Sequence, residues 1–541
     1  MAPEGPLPPR RTLALLALAV AVLCAFTFAP MLGWGFTDAD AWADVAWARH
    51  PLGDQLLSRL TGGVAGKDAN FWRPAVMLQF WVERRCFGWN AVGWQAWDLA
   101  EHALATWLGA VFVAATARFA GVPWRAAMWA TAILFAIHPL TEDVVPAVAR
   151  SIDLLLAVGM YGTMVALVLA QSGRRWAWGG VVLGATVALG AKESAVLLLP
   201  AVASWVLLFR ADLGLRPRFV LAALATAPVA ILTVAWLAVR AHVLEGVGGY
   251  TEEFKSAWLP PALARSVVEN FATALANRLP EGWPTLVPLG GLVAAALFAG
   301  WRSPHRKLVV LGFGWFTLAC LLHAITGTVS RRVFYAPTLP ALLMVVPALL
   351  HARRHPVGLL LGGAWLAVFA YGSPAFLRYH QWPELSAASD RYRNVDFWAK
   401  LPKGTRVWLA ERPFRTDLDR RTFRWRDAGS LHHGATAYSV QAWLDEVLPE
   451  KSLHVETLTG TVLTTPLERQ SVTVALDGDT LRVDHPGAVR QDWEIRSPFT
   501  TTSVGTALVV VPKTTRATAM VVVWTSEGPV AWRPETGELI R

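Results

Sequence analysis

Asp38 and Asp40, separated by Ala39, stand a few residues beyond the end of the first long apolar run of the chain, Thr12 to Leu32. Carboxylates in such a place can take a proton from an acceptor hydroxyl, hold a divalent metal, or admit a cation to a pore. Other ionisable side chains recur inside or at the rims of later apolar runs. Asp98 and His102 are four residues apart, on one face of a helix. His138 is followed by Glu142 and Asp143 at the close of one run, Arg150 and Asp153 open the next, Lys192-Glu193 joins two more, and Arg331, Arg332 and Tyr335 begin another. Charges so placed are costly in a bilayer and face a cavity or one another. Read structurally, Asp98 pairs with His102, Glu142 or Asp143 with Arg150, and Lys192 with a carboxylate. In that reading Arg73, Arg331 and Arg332 snorkel to the interface, and an aspartate caps the helix after the first run.

The elements that position these groups are apolar. Of 541 residues, 54% are hydrophobic and 16% charged, against about a quarter charged in soluble domains, so the chain reads as a membrane protein. The net charge of +10 does not form a stripe for nucleic acid. Its basic residues sit in short clusters between apolar runs, as cytoplasmic loops do, and nucleic-acid binding is excluded. The 28 tryptophans suit interfacial belts. Cys24 and Cys320 fall in apolar runs, and Cys86 stands alone outside them, so the outer parts fold without an intrachain disulfide.

Apolar runs near Thr12–Leu32, Trp94–Thr116, Ala126–Leu140, Leu154–Gln171, Ala177–Ala191, Ser194–Phe209, Phe219–Val239, Leu286–Gly300, Leu308–Thr326, Val333–Leu350 and Val357–Tyr371 give about eleven spans. The first is too long for the h-region of a cleaved signal and reads as retained. With the N-terminus cytoplasmic, the inner turns hold Arg118 and Arg125, Arg174 and Arg175, Arg210, Arg216 and Arg218, then Arg302, Arg306 and Lys307, and last Arg353 and Arg354. Each is basic, as the positive-inside rule requires. This topology puts outside the loops of about residues 33–93 and 241–284, and everything after Tyr371.

The composition changes from about Pro374. Arg406–Ala410, Ser471–Leu476, Thr480–Asp484, Ala507–Val511 and Ala519–Trp524 read as strands, with Asp477-Gly478-Asp479 as a hairpin link. Tyr438–Leu448 reads as an amphipathic helix. The expected architecture is therefore a mainly α polytopic membrane domain over residues 1–373 and an extracytoplasmic α+β domain over 374–541. An inner membrane of a bacterium, with the C-terminal domain periplasmic, is the expected location.

A family resemblance runs through the first of these. Asn70-Phe-Trp72-Arg73-Pro74, Trp97-Asp-Leu-Ala-Glu-His102-Ala-Leu104, Phe135-Ala-Ile-His138-Pro139, Ala191-Lys192-Glu193 and Arg332-Val-Phe-Tyr335-Ala-Pro337 occur in this order. Together they resemble the membrane part of the tetratricopeptide-bearing O-mannosyltransferase-like proteins, within the GT-C glycosyltransferases. The chain departs from that pattern in four places. Ala39 separates acids that are usually adjacent, Asp98 replaces the usual Asn, and Arg331 stands where a Glu commonly precedes the Arg. The acid after His138-Pro139 corresponds to Asp143 rather than Glu142. The tail also lacks the roughly 34-residue helical repeat of the family.

The resemblance implies an enzyme: a hexosyl- or mannosyltransferase-like protein that takes a sugar from a polyprenyl-phosphate donor and passes it, with inversion, to an acceptor protein, lipid or glycan at the outer face. Asp38 or Asp40 would be the general base. Arg73, Arg332, Arg331 and Lys67 would hold the leaving phosphate, with a hydrogen bond from Tyr335. Asp98, His102, His138, Glu142, Asp143, Arg150, Asp153, Lys192 and Glu193 form the supporting polar network. Membrane lipid and lipid-linked sugar are the implied partners. No cofactor is expected, although Asp38-x-Asp40 leaves a divalent ion open. The competing class is a transporter or lipid flippase, which would show two similar halves and interrupted helices near mid-depth. No such repeat is visible.

Overall fold

The computed structural model describes residues 6–36, 39–53, 72–138, 140–141, 144–244, 294, 297–298, 300–325, 331–352, 395–411, 437–463, 473–477, 480–492, 500–510, 519–525, 528–533 and 538–540. The expected spans near Leu286–Gly300 and Val357–Tyr371 lie largely or wholly outside these residues.

Helices dominate up to residue 352. They are α1 (Arg10–Phe28), α2 (Ala39–Trp47), α3 (Pro74–Phe87), α4 (Ala91–Phe119), α5 (Arg125–Ala136), α6 (Ser151–Gln171), α7 (Ala177–Ala191), α8 (Leu198–Phe209), α9 (Leu215–Val243), α10 (Arg306–Ile325) and α11 (Thr338–Ala352). Among the described residues, five stretches are long and apolar enough to cross a membrane: Arg10–Gly33, Ala91–Phe119, Val148–Gln171, Leu215–Val243 and Arg306–Ile325. Four more of the expected spans correspond to the shorter apolar helices Arg125–Ala136, Ala177–Ala191, Glu193–Phe209 and Thr338–His351; α5 stops at Ala136, where the sequence reading carried its run to Leu140. α1 and α9 turn apolar side chains outward, Leu15, Leu18, Val22 and Phe26 on one, Phe219, Leu224, Ile231 and Val234 on the other. Such faces suit contact with lipid tails rather than water.

Local chemistry sets the helix ends. Asn90 caps α4, its side-chain oxygen accepting from the Val92 amide at 3.1 Å. Pro74 opens α3 at a position where no amide hydrogen is needed, and Gly88 closes it at φ +57°. Within the bundle, small residues let backbones touch. A Cβ added to Gly159 of α6 would lie 2.6 Å from the Ala188 amide nitrogen of α7, and one on Gly184 would lie 2.8 Å from that of Thr163. This is the close packing that membrane helices use in place of a hydrophobic drive. It fixes the start of α6 beside the end of α7.

After residue 395 the chain forms a short helix α12 (Val395–Ala399), β1 (Arg406–Glu411), α13 (Ala437–Val447), β2 (His454–Leu463), β3 (Thr473–Asp477), β4 (Thr480–Asp492), β5 (Thr500–Val510), β6 (Ala519–Thr525), β7 (Gly528–Arg533) and β8 (Glu538–Ile540). The strands make one sheet in the order β3-β4-β2-β1-β6-β7-β8, with β5 also on β4. β1 runs parallel to both β2 and β6, and the remaining pairs are antiparallel. The five expected strands and the expected helix are present. β2, β7 and β8 are additional. β4, expected to end at Asp484, runs on to Asp492 through Pro486-Gly487, and the ladder to β5 shifts register between Asp484 and Val489.

Candidate active site at one end of the helix bundle

Chain direction alternates through the bundle, so the start of α4, the start of α6, the end of α7, the end of α9, the end of α10 and the start of α11 share one end. Side-chain contacts confirm it. Glu193, in the 3-10 turn Glu193–Leu197 after α7, accepts from Arg73 Nη2 at 3.0 Å on one oxygen and from Arg240 Nη1 at 2.8 Å on the other. Arg73 sits immediately before α3 and Arg240 near the end of α9. Lys192 Nζ pairs with Asp153 Oδ1 in the first turn of α6. Gly190 makes this meeting possible: a Cβ there would stand 2.9 Å from the Ala75 side chain.

Among the described residues, four cations, Arg73, Lys192, Arg240 and Arg332, thus gather around the carboxylates of Asp153 and Glu193. Burial holds the Lys192 ammonium below the ordinary lysine range; Asp153 opposes this, while the charges of Arg73 and Arg332 add to it. Arg332 therefore belongs to the same electrostatic cluster. Burial pushes the Glu193 carboxyl up, but Arg73 and Arg240 together outweigh it and hold the group below its usual range. His323, buried near the end of α10, lies within reach of the charges of Lys192 and Asp153.

A buried hydrogen-bonded network adjoins these groups. The Ser151 hydroxyl donates to Asp98 Oδ1 at 2.5 Å. His102 Nε2 faces the Ala136 carbonyl at 3.1 Å and must carry its hydrogen there, which leaves Nδ1 of the uncharged ring to accept from the Tyr335 hydroxyl at 2.7 Å. The expected Asp98–His102 pair is thus corrected: both ring nitrogens are engaged by other groups. Tyr335, read as a donor to phosphate, is 1% exposed and turned to His102. The expected Lys192–carboxylate pair has Asp153 as its partner. His138 accepts from the Leu140 amide at 3.2 Å. Arg150 ends the 3-10 turn Val148–Arg150 that leads into α6.

The segment leading to the two aspartates is anchored at this end. Gln95 Nε2 donates to the Gly35 carbonyl at 3.0 Å, and Phe36 is buried edge-on to Trp89 and Trp94. α2 begins at Ala39, so Asp40 lies in its first turn, and the helix packs against the Val148–Arg150 turn. Asp38, Lys67, Glu142 and Asp143, and the side chains of Asp40 and Arg331, lie outside the described residues. Among the described residues, no group of three or more His, Cys, Asp or Glu could hold a metal ion.

Sequence reasoning missed Arg240, which lies just past the end of the apolar run Phe219–Val239 and was not singled out. It also missed Ser151 and His323. The signal for Arg240 was its place at the same end as Glu193, visible only once the turns had been laid out.

No protein-family model matches this chain, and no curated protein matches it. Among solved structures the chain is similar to ArnT from Cupriavidus metallidurans, determined with undecaprenyl phosphate bound, at 15% identity and a TM-score of 0.45, over 83% of this chain and 90% of that one. A likeness of that degree carries no argument about fold or chemistry. The apolar helices and the charge cluster define a class by themselves: a helical membrane protein with a dense, largely buried set of ionic groups at one end of its bundle.

Proposed function

We propose that this protein is a GT-C-like membrane glycosyltransferase that moves a sugar from a polyprenyl-phosphate donor to an acceptor at the outer face, with inversion. The observation that supports this most is the gathering of Arg73, Lys192, Arg240 and Arg332 around Glu193 and Asp153 at one end of the bundle. A phosphate leaving a sugar gains charge as the glycosidic bond breaks, and preorganised cations lower that barrier. Arg73, Lys192, Arg240 and Arg332 are the groups for this role. Arg73 and Arg332 can grip phosphate oxygens in pairs.

The second half of the chemistry is a base. In this reading Asp38 or Asp40 takes the proton from the acceptor hydroxyl. The acceptor oxygen then bonds to the anomeric carbon from the face opposite the phosphate, and the electrons of the broken C–O bond leave with the polyprenyl phosphate. Asp38 is the first choice. The lipid tail would lie between helices open to the bilayer, and residues 374–541 would form the exported domain. The acceptor is a hydroxyl on a protein, lipid or glycan.

The test is to supply purified protein with polyprenyl-phosphate sugars and follow sugar transfer or release for wild type, Asp38→Asn and Asp40→Asn. Loss of activity in at least one variant supports the base; full activity in both removes it. A wild type that moves no lipid-linked sugar but carries solute across proteoliposomes would replace the transferase reading with the transporter one.

A further inference from the structure

α2 and α3 each begin beside a group that the proposed reaction needs. α2 starts at the Asp38–Asp40 segment and α3 starts directly after Arg73. The far ends of both helices converge on one carboxylate from a distant part of the chain. Glu446, in the last turn of α13, receives Arg84 from the last turn of α3 through Oε1 and has Arg49, just past α2, at 4.0 Å from Oε2. Two helices that are neighbours in the chain are tied at this point to a third, whose Glu446 lies 362 residues after Arg84.

The tie is built on packing as well as charge. α2 buries Ala41, Val45 and Ala48, spaced i, i+4 and i+7, and α13 buries Val440, Trp443 and Leu444 at the matching helical spacing. The two helices pack along each other. α13 is itself fastened to the sheet: Gln441 donates to the Leu453 carbonyl at 3.0 Å and accepts from the Val455 amide at 2.6 Å. The Arg84 guanidinium also lies over the Trp89 ring, 5.1 Å from its centroid, and Trp89 meets Phe36 edge-on at 6.2 Å. Phe36 precedes Asp38 by two residues. A continuous line of contacts therefore runs from the C-terminal domain to the start of the base-bearing segment.

We propose that the C-terminal domain, through Glu446, holds the base-bearing and phosphate-binding helices in register, which makes Glu446 a positioning residue for sugar transfer. The inference rests on the transferase reading and deepens it. The domain is then part of the machinery that aligns acceptor activation with donor binding.

The experiment uses the full chain and the variants Glu446→Gln and Glu446→Asp. Glu446→Gln is expected to lower kcat for transfer by up to about 100-fold, the scale of a 1 Å misplacement of a catalytic group, with donor KM little changed and thermal unfolding like that of wild type. Glu446→Asp is expected to recover a large part of that loss. Amide exchange over residues 39–47, followed by mass spectrometry, is expected to quicken in Glu446→Gln and not in Glu446→Asp. Unchanged kcat in Glu446→Gln overturns the positioning role. Unchanged exchange overturns the clamp, whatever the reaction. A wild type inactive with every polyprenyl-phosphate sugar removes the transferase reading, and the exchange arm then decides the clamp alone.

Discussion

Gly190 lies against Ala75 so closely that a Cβ on the glycine would stand 2.9 Å from the alanine side chain and 3.2 Å from its backbone nitrogen. This contact sets Arg73, two residues before Ala75, beside Glu193, three residues after Gly190. Replacing the glycine by valine must push α3 away from α7. Gly190→Val is expected to cost about 1–3 kcal/mol by overpacking and to weaken donor binding through the displaced Arg73. Thermal unfolding and titration with polyprenyl phosphate check the two effects; a variant unchanged in both would show that the approach is not constraining.

Glu193 serves two arginines at once, and Arg240 is only 6% exposed at its side chain. Glu193→Gln removes the charge that both arginines share and is expected to cost about 1–3 kcal/mol, less than a fully buried pair because the carboxylate is partly solvated. The sign of the pH effect follows from the direction of the shift. The folded carboxyl is held below its ordinary value of 4.5, so its stabilising contribution is complete above that value and is lost as pH falls through the lower folded one. Wild type should lose stability more steeply than Glu193→Gln between pH 5 and 3, which thermal melts will read.

Glu83 behaves in the opposite sense. Burial in α3 pushes its carboxyl well above 4.5, the nearby Glu101 adds to the rise, and the Gln79 amide, 2.6 Å away, opposes it. The folded protein therefore keeps a proton that the unfolded chain releases, and stability falls as pH rises above 4.5 toward the folded value. Glu83→Gln cannot ionise. It is expected to match wild type near pH 4 and to melt higher at pH 8; equal melting temperatures at pH 8 would refute the burial argument.

The phosphate role divides the arginines from the network behind them. Arg332→Ala is expected to weaken polyprenyl-phosphate binding by about 10- to 100-fold, the scale of one charged hydrogen bond. Tyr335→Phe, which removes only the hydroxyl bonded to His102, is expected to lower stability by about 1–3 kcal/mol and to leave phosphate affinity close to wild type. Equal losses of affinity in both would return Tyr335 to the phosphate.

The hydrophobic runs located the helices well because a chain that must satisfy its backbone in lipid has little choice. Ala177–Ala191 is the same span in sequence and structure, and the expected pairing of Lys192 with a carboxylate is met by Asp153. The partner of His102 was not legible, since Tyr335 lies 233 residues away and is brought to it by helix packing alone. Arg240 was not singled out, because only the packing of α9 sets it beside Glu193. The strand expected over Thr480–Asp484 runs on to Asp492, since the ladder absorbs Pro486-Gly487 by a register shift. Nothing local in Glu446 distinguishes it from a solvated glutamate; its meaning comes from Arg84, 362 residues earlier.

The touching backbones of α6 and α7 at Gly159 and Gly184 bear on how such a site could move. Two helices in contact without intervening side chains have no soft layer in which to slide, because tilting either one drives peptide groups into each other. Asp153 and Lys192 are mounted on that rigid pair, one on each member. They form a stationary pair of opposite charges, and Arg73 is held to the same rigid unit by the contact of Ala75 with Gly190.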